Sequence, residues 1–161
     1  MFRTVLIAVA LLMAGSTPAA PKSEEHRVKI NGMQMYYEIS GQGDPLIVLH
    51  GAYMNIPSMG ATIPKLAEDH KVYALELQGH GRITDIDRPI TYPNLADDVA
   101  AFTVAVKIKK ADVFGYSMGA AVDLQFAIRH RAKVNKLAGG TKKRQHLPKP
   151  KGGIDLLLDA F

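Results

Sequence analysis

Cysteine is absent from the 161 residues. That excludes a disulfide framework, a thiolate nucleophile and any zinc or iron–sulfur centre built on cysteine, and it leaves thiol usage silent about the redox compartment. No apolar run reaches the ~20 residues that a membrane-spanning helix needs; the longest, Val5 to Ala14, has about half that. There is no internal repeat, no collagen-like period and no heptad pattern. Hydrophobic residues make up 47% and charged residues 22%, which is ordinary for a globular protein and excludes a wholly disordered chain. The length points to one domain rather than two.

Lys and Arg number 20 against 15 Asp and Glu, a formal net charge of +5. The excess sits at the two ends. Arg3 opens the chain, and Lys142, Lys143, Arg144, Lys149 and Lys151 face only Asp155 and Asp159 after residue 140. Such a run reads as a solvated tail. Nucleic-acid binding would need interleaved aromatics or a recognisable module, and neither is present, so no nucleic-acid partner is expected.

The first residues follow an export pattern: a basic start, the apolar run VLIAVALLMA, then Gly15, Ser16, Thr17, Pro18, Ala19 and Ala20. This is the order of a secretory signal peptide. We expect residues 1–19 to be that signal, cleaved after Ala19, with Ser16 a second possible cleavage point. Ser16 also stands where a lipoprotein would need its Cys. The mature protein is then secreted or periplasmic, with no stable membrane span.

Alternation in His26–Ile30 and Met33–Ile39 predicts two strands, and Asn31-Gly32 between them is a strong hairpin signal. The apolar run Leu46-Ile47-Val48-Leu49 predicts a strand buried on both faces. Ala61–Asp69 reads as helix, Val72–Leu77 as strand, and Pro93 to Lys107 as a helix with Leu95, Val99, Phe102 and Val106 on one stripe. Ala111–Gly115 is a short buried strand. Met118–His130 reads as helix with Ala121, Leu124 and Ile128 on its apolar face. Asp97-Asp98 reads as a solvated first turn. The pattern implies an α/β fold: a mostly parallel sheet with an N-terminal β-hairpin and crossover helices. It fails after Arg131, where the strand due at Val134–Ala138 runs into Gly139-Gly140.

Gly115-Tyr116-Ser117-Met118-Gly119 matches G-x-S-x-G, with a strand before it and a helix after it, as the motif requires. Ser117 would occupy a strained strand-to-helix turn that lifts Oγ clear of the sheet. Gly115 and Gly119 would give the crowded backbones room, and the Met118 N–H would face a substrate oxyanion. His50-Gly51-Ala52, closing the LIVL strand, supplies the second donor, the N–H of Ala52 or Tyr53. His50 itself reads as structural, with Gly51 as the turn glycine. No two His fall at i, i+3 or i, i+4, so no metal is expected. Gly41-x-Gly43 reads as a turn.

The segments LIVLHGA, LELQGHGR, NLADDVAAF and DVFGYSMGAAVDLQFAIRH, in that order and spacing, resemble the N-terminal half of an α/β-hydrolase-fold protein. The resemblance runs from about Glu24 to Ala138, leaving 139–161 as an unpatterned basic tail. It implies a serine hydrolase, with ester hydrolysis the commonest activity in the family, a small-molecule acyl substrate and no cofactor. Ser117 matches the nucleophile, and Met118 and Ala52 match the oxyanion-hole backbone. Ala120 stands where Gly is usual, and Arg131 where Pro commonly ends the helix. The family has eight strands and places its acid after the sixth or seventh and its His after the eighth. The chain is therefore expected to be truncated near the sixth strand and catalytically impaired. His80, two strands from the elbow, would lie roughly 10 Å away at ordinary strand spacing, and His130 on the order of 20 Å away along its helix. His146 lies in the tail, and His26 and His70 read as surface residues. A sheet cut there leaves the far side of Ala111–Gly115 uncovered, with Val113-Phe114 short of neighbours and the chain prone to aggregate. The alternatives are a truncated, non-catalytic product and a binding module pairing through its open sheet edge.

If 1–19 is a signal, the exported form begins near Ala20. N-terminal sequencing of material from the producing cell checks this, and an intact Met1 on mature protein would overturn it.

Overall fold

The hairpin forms where alternation predicts it. β1 (Glu24–Ile30) and β2 (Met33–Ser40) pair antiparallel, Ile30 opposite Met33. Asn31 (φ 42°) and Gly32 (φ 86°) both turn left-handed between them, as a two-residue hairpin turn requires. The computed structural model describes residues 22–83 and 85–140 and a short strand at 156–157. The expected signal, the Lys142–Arg144 run and His146 lie outside the described residues.

Four more strands follow: β3 (Pro45–Leu49), β4 (Lys71–Leu75), β5 (Ala111–Tyr116) and β6 (Val134–Gly140); Leu156–Leu157 adds a two-residue β7. The sheet order is β1-β2-β4-β3-β5-β6-β7. β2 meets β4 antiparallel, and every pairing from β4 to β7 is parallel. β3 is continuously buried from Leu46 to Leu49 because strands flank both its edges. After β3 the chain goes to one side of it, to β4; the chain reaches β5 on the other side. The strand order thus reverses direction at β3, and the carboxyl ends of β3 and β5 lie at the switch point where parallel α/β sheets hold their sites.

Helix α1 (Thr62–Leu66) is shorter than the expected Ala61–Asp69. Helix α2 (Tyr92–Ala105) starts under a Thr91 cap whose Oγ1 accepts from the Asn94 N–H at 3.2 Å. Its predicted stripe is inside, with Leu95, Val99 and Phe102 fully buried, and Phe102 meets the Tyr37 ring edge-on at 4.9 Å, tying α2 to the hairpin. Helix α3 (Met118–Arg129) buries a different face from the one expected: Gly119, Val122, Asp123, Phe126 and Ala127 are inside, while Ile128 is 65% exposed. Among the described residues no helix is long and apolar enough to cross a membrane.

The strand that alternation loses is present. β6 runs parallel to β5, Ala111 opposite Val134 and Val113 opposite Leu137, so three residues of β6 match two of β5. This irregularity lets Val134 and Leu137, three apart, both face the core, which defeats a period-of-two reading. Gly139 is part of the strand and not a breaker: a Cβ there would lie 3.1 Å from the Ala120 Cβ on α3. The ordered strand thus continues to Gly140, past the boundary expected at 138. The expectation of an uncovered β5 is corrected accordingly. β5 is paired on both sides, and Val113 and Phe114 are buried.

If β6 is part of the core, Leu137→Ala costs about 2–5 kcal/mol in urea unfolding, the cost of a buried large-to-small change. A change under ~0.5 kcal/mol, the level of a surface site, would return β6 to the tail.

Candidate active site

Ser117 stands between β5 and α3 with φ 54° and ψ −109°. Left-handed backbone is costly for a residue with a side chain, by about 1–3 kcal/mol, and persists only where the surroundings impose it. Two glycines show what imposes it. A Cβ on Gly115 would collide with the Gly119 backbone and the Asp123 carboxyl; one on Gly119 would meet the Leu49 carbonyl carbon at 2.8 Å and the His50 oxygen at 2.9 Å. The first turn of α3 is thus pressed against the ends of β3 and β5, and Ser117 takes the sharp bend between strand and helix. It is exposed, and its side chain makes no cap hydrogen bond to α3. Met118, as the first helical residue, has no intrahelical acceptor for its N–H.

The turn after β3 comes alongside. A Cβ on Gly51 would lie 3.0 Å from the Met54 sulfur, 3.1 Å from Tyr116 Cδ1 and 3.4 Å from Ser117 Cβ. The Met54 N–H closes this turn on the Gly51 carbonyl at 3.2 Å. Gly51 is buried and Ala52 exposed. So Gly51 and Met54, from the turn after β3, meet Tyr116 and Ser117, from the end of β5 and the bend that follows it.

His50 is buried and structural. Its Nε2 accepts from the Leu77 N–H at 3.1 Å, so Nδ1 carries the proton and donates to the Gly51 carbonyl at 2.8 Å. The ring clips the turn after β3 to the one after β4, and burial lowers its pKa, keeping it neutral. His80 sits 5.2 Å from it, ring to ring, with Nδ1 2.9 Å from the Gln78 carbonyl. His130 pairs with Asp97 at 2.7 Å.

Asp97-Asp98 is not a solvated turn. Asp98 is fully buried and takes both ends of the Arg88 guanidinium, at 3.0 and 2.6 Å, and the Asn31 amide at 2.8 Å. The Arg129 guanidinium beside Asp97 holds that carboxyl below the usual range, helped by His130. Two adjacent acids look alike in sequence, and the helix turn sends one inward. Glu76, also buried, accepts from the Arg82 N–H. Asp123 is the acid that sequence reading passed over. It lies fully buried against Gly115, neither oxygen has a hydrogen-bond partner, and burial pushes its pKa well above the carboxylate range.

The alpha/beta hydrolase fold family matches residues 44–147. The chain belongs to that family. A soluble epoxide hydrolase of Corynebacterium sp. (strain C12) is 34% identical over 115 residues, covering 70% of this chain and 39% of that protein. A pimeloyl-[acyl-carrier protein] methyl ester esterase of Vibrio atlanticus (strain LGP32) is 29% identical, covering 64% of this chain and 38% of the relative. Among solved structures, an unliganded epoxide hydrolase, CorEH, superposes with a TM-score of 0.71 at 30% identity, over 74% of this chain and 42% of that one. This alpha/beta hydrolase-fold chain therefore spans about two fifths of the length of the relatives it matches.

Asp123 supplies a stability test in this member of the family. Its folded pKa is raised above the unfolded value of 3.8. The folded state therefore binds the extra proton, and the contribution of Asp123 to stability is greatest below about pH 3.8 and falls as pH rises toward the folded pKa. Asp123→Ala removes a buried carboxyl that no partner satisfies. We expect it to raise stability at pH 7 by about 1–3 kcal/mol, the cost of an unsatisfied buried polar group. The gain should shrink toward pH 4. Parallel pH profiles for both proteins in chemical denaturation would count against a buried neutral acid.

Proposed function

We propose that the chain is a serine hydrolase acting on an ester or related acyl bond through Ser117. The observation that carries this reading is the left-handed backbone at Ser117, φ 54° and ψ −109°, on a turn that meets Gly51. In this reading Oγ attacks the acyl carbon, and the carbonyl π electrons move onto oxygen. That oxyanion sits between the N–H groups of Met118 and Ala52, with the N-terminus of α3 favouring the charge. The Oγ proton passes to the departing oxygen, the bond from the acyl carbon to the alcohol oxygen breaks and leaves the acyl group esterified to Ser117, and water then cleaves that ester, releasing the acid and restoring the hydroxyl. Several of the similar proteins are epoxide hydrolases, but a serine suits that reaction poorly. Hydroxyl attack on an epoxide makes an ether, which water does not readily cleave, whereas attack on an acyl group makes an ester, which it does.

Ser117 needs a proton acceptor within about 3 Å. Among the described residues His50 is held between Leu77 and Gly51, His80 sets its Nδ1 against the Gln78 carbonyl, and His130 pairs with Asp97 at the far end of α3. The reading therefore includes weak turnover by an unactivated hydroxyl. A non-catalytic product is the second reading, favoured by the same engagement of the His rings.

We expect a short-chain nitrophenyl ester to be turned over no faster than about 10³–10⁴-fold above water, the residual that an oxyanion hole and binding supply without a triad. A much larger rate that vanishes in Ser117→Ala would show that a base reaches Oγ. A fluorophosphonate label on Ser117, absent in Ser117→Ala, separates the serine hydrolase from the non-catalytic product.

A further inference from the structure

Asn31-Gly32 turns the hairpin and also carries a contact that the turn itself does not need. The Asn31 side-chain amide donates to Asp98 Oδ1 at 2.8 Å. Asp98 is fully buried on α2, and it also holds Arg88, whose guanidinium reaches the Gln78 side chain in the loop after β4. One amide at the hairpin tip thus joins three elements through a buried ion pair. Asn31 and Gly32 are themselves exposed, and a Cβ on Gly32 would have nothing within 4 Å. Among the described residues no turn, loop or cap hydrogen bond uses the Gly32 N–H.

The chain's other asparagines are Asn55, Asn94 and Asn135, followed by Ile56, Leu95 and Lys136. Each therefore has a side chain crowding the next amide nitrogen. At Asn94 that nitrogen is also committed, because the Leu95 N–H donates to the Thr91 carbonyl at 3.0 Å. Asn135 lies within β6. Asn31 differs from all three in having an exposed glycine after it with an uncommitted N–H.

We propose that Asn31 is a site of spontaneous deamidation, and that its conversion to an acid releases the hairpin tip from α2. The Gly32 nitrogen gives its proton to solvent and bonds to Asn31 Cγ. The bond from Cγ to the side-chain nitrogen breaks, and that nitrogen takes up a proton and leaves as ammonia. Water then opens the five-membered imide at one of its two carbonyls. Opening at Cγ leaves aspartate; opening at the α-carbonyl leaves isoaspartate, with the backbone routed through Cγ. Nothing is oxidised or reduced, and water is the sole co-reactant. Breaking the one hydrogen bond to Asp98 frees the amide to react, because Arg88 continues to neutralise Asp98. Either product replaces a donor with a carboxylate, which only accepts. That carboxylate faces Asp98, and like charges so close repel. Isoaspartate also lengthens a two-residue turn that sets Ile30 opposite Met33, and turn length fixes hairpin register.

The test ages the folded 161-residue chain in mildly alkaline buffer and follows every asparagine by peptide mapping with mass spectrometry. Acid should appear at Asn31 ahead of Asn55, Asn94 and Asn135, part of it as isoaspartate. Asn31→Gly, which keeps the turn because glycine takes this φ freely and has no Cγ, should gain no acid there. Asn31→Asp should lower the melting temperature by about 2–8 °C, the shift that loss of one charged contact gives in a domain of this size. Adding Asp98→Asn restores a donor opposite the new carboxylate, so the two losses should sum to less than their separate values. Conversion elsewhere that keeps pace with Asn31, or fully additive losses in the double variant, overturns the proposal. Should Asn31→Asp not fold, the aged parent chain, separated by ion exchange on its added negative charge, carries the same expected shift. An unchanged melting temperature in that fraction overturns the proposal too.

Discussion

The backbone of α3 touches the backbone of the sheet at Gly119, and the rest of the site depends on that contact. No side chain fits between Gly119 and the Leu49–His50 carbonyls. The helix is therefore seated as low as a helix can sit on a strand end, and Ser117 must absorb the change of direction. Strain there costs about 1–3 kcal/mol. Val122 and Phe126 on the same helix are fully buried, and each large apolar side chain contributes roughly 1.5–3 kcal/mol. Helix burial outweighs the strain, so the elbow follows from packing that would hold whether or not Ser117 reacts.

The loops around the elbow are held by polar groups rather than by apolar contact. His50 spans two turns with one ring, which works only while the ring is neutral. Arg88 joins Gln78, in the loop after β4, to Asp98 on α2, and Asn31 adds the hairpin turn to the same carboxylate. A buried acid that accepts three such bonds is satisfied; Asp123, on α3, accepts none. Both are buried aspartates on helices. Asp98 faces an arginine, whereas Asp123 lies against Gly115, which has no side chain to offer it a donor.

Periodicity showed the hairpin, the central strands and the stripe of α2 because each depends on neighbours in sequence. G-x-S-x-G and His50-Gly51 were legible for the same reason: a strand, a tight turn and a helix start are contiguous. What escaped depends on partners far along the chain. β6 hid behind a register irregularity that only its pairing with β5 reveals. The buried face of α3 turned away from Ala121, Leu124 and Ile128 because the sheet demands Gly119 at the contact, and the residues spaced with it, Val122, Asp123 and Phe126, follow it inward. Asp98 and Asp123 could not be sorted without knowing what each faces.

The same division of local from distant runs through the candidate site. The Ser117 turn and the neighbouring Gly51 turn need only two adjacent parallel strands, β3 and β5, and their registered ends, Leu49 opposite Gly115. Those come from contiguous stretches that fold against each other. A base needs a ring nitrogen delivered to Oγ by a different part of the chain, with its other nitrogen oriented by a third group. Among the described residues, His50 and His130 show both halves of that requirement diverted. His50 has an oriented nitrogen, but its free one already serves Leu77; His130 has its carboxylate, but at the far end of α3 from Ser117. Among the described residues the geometry sets Ser117 out on its turn, while the His50 and His130 rings serve other partners.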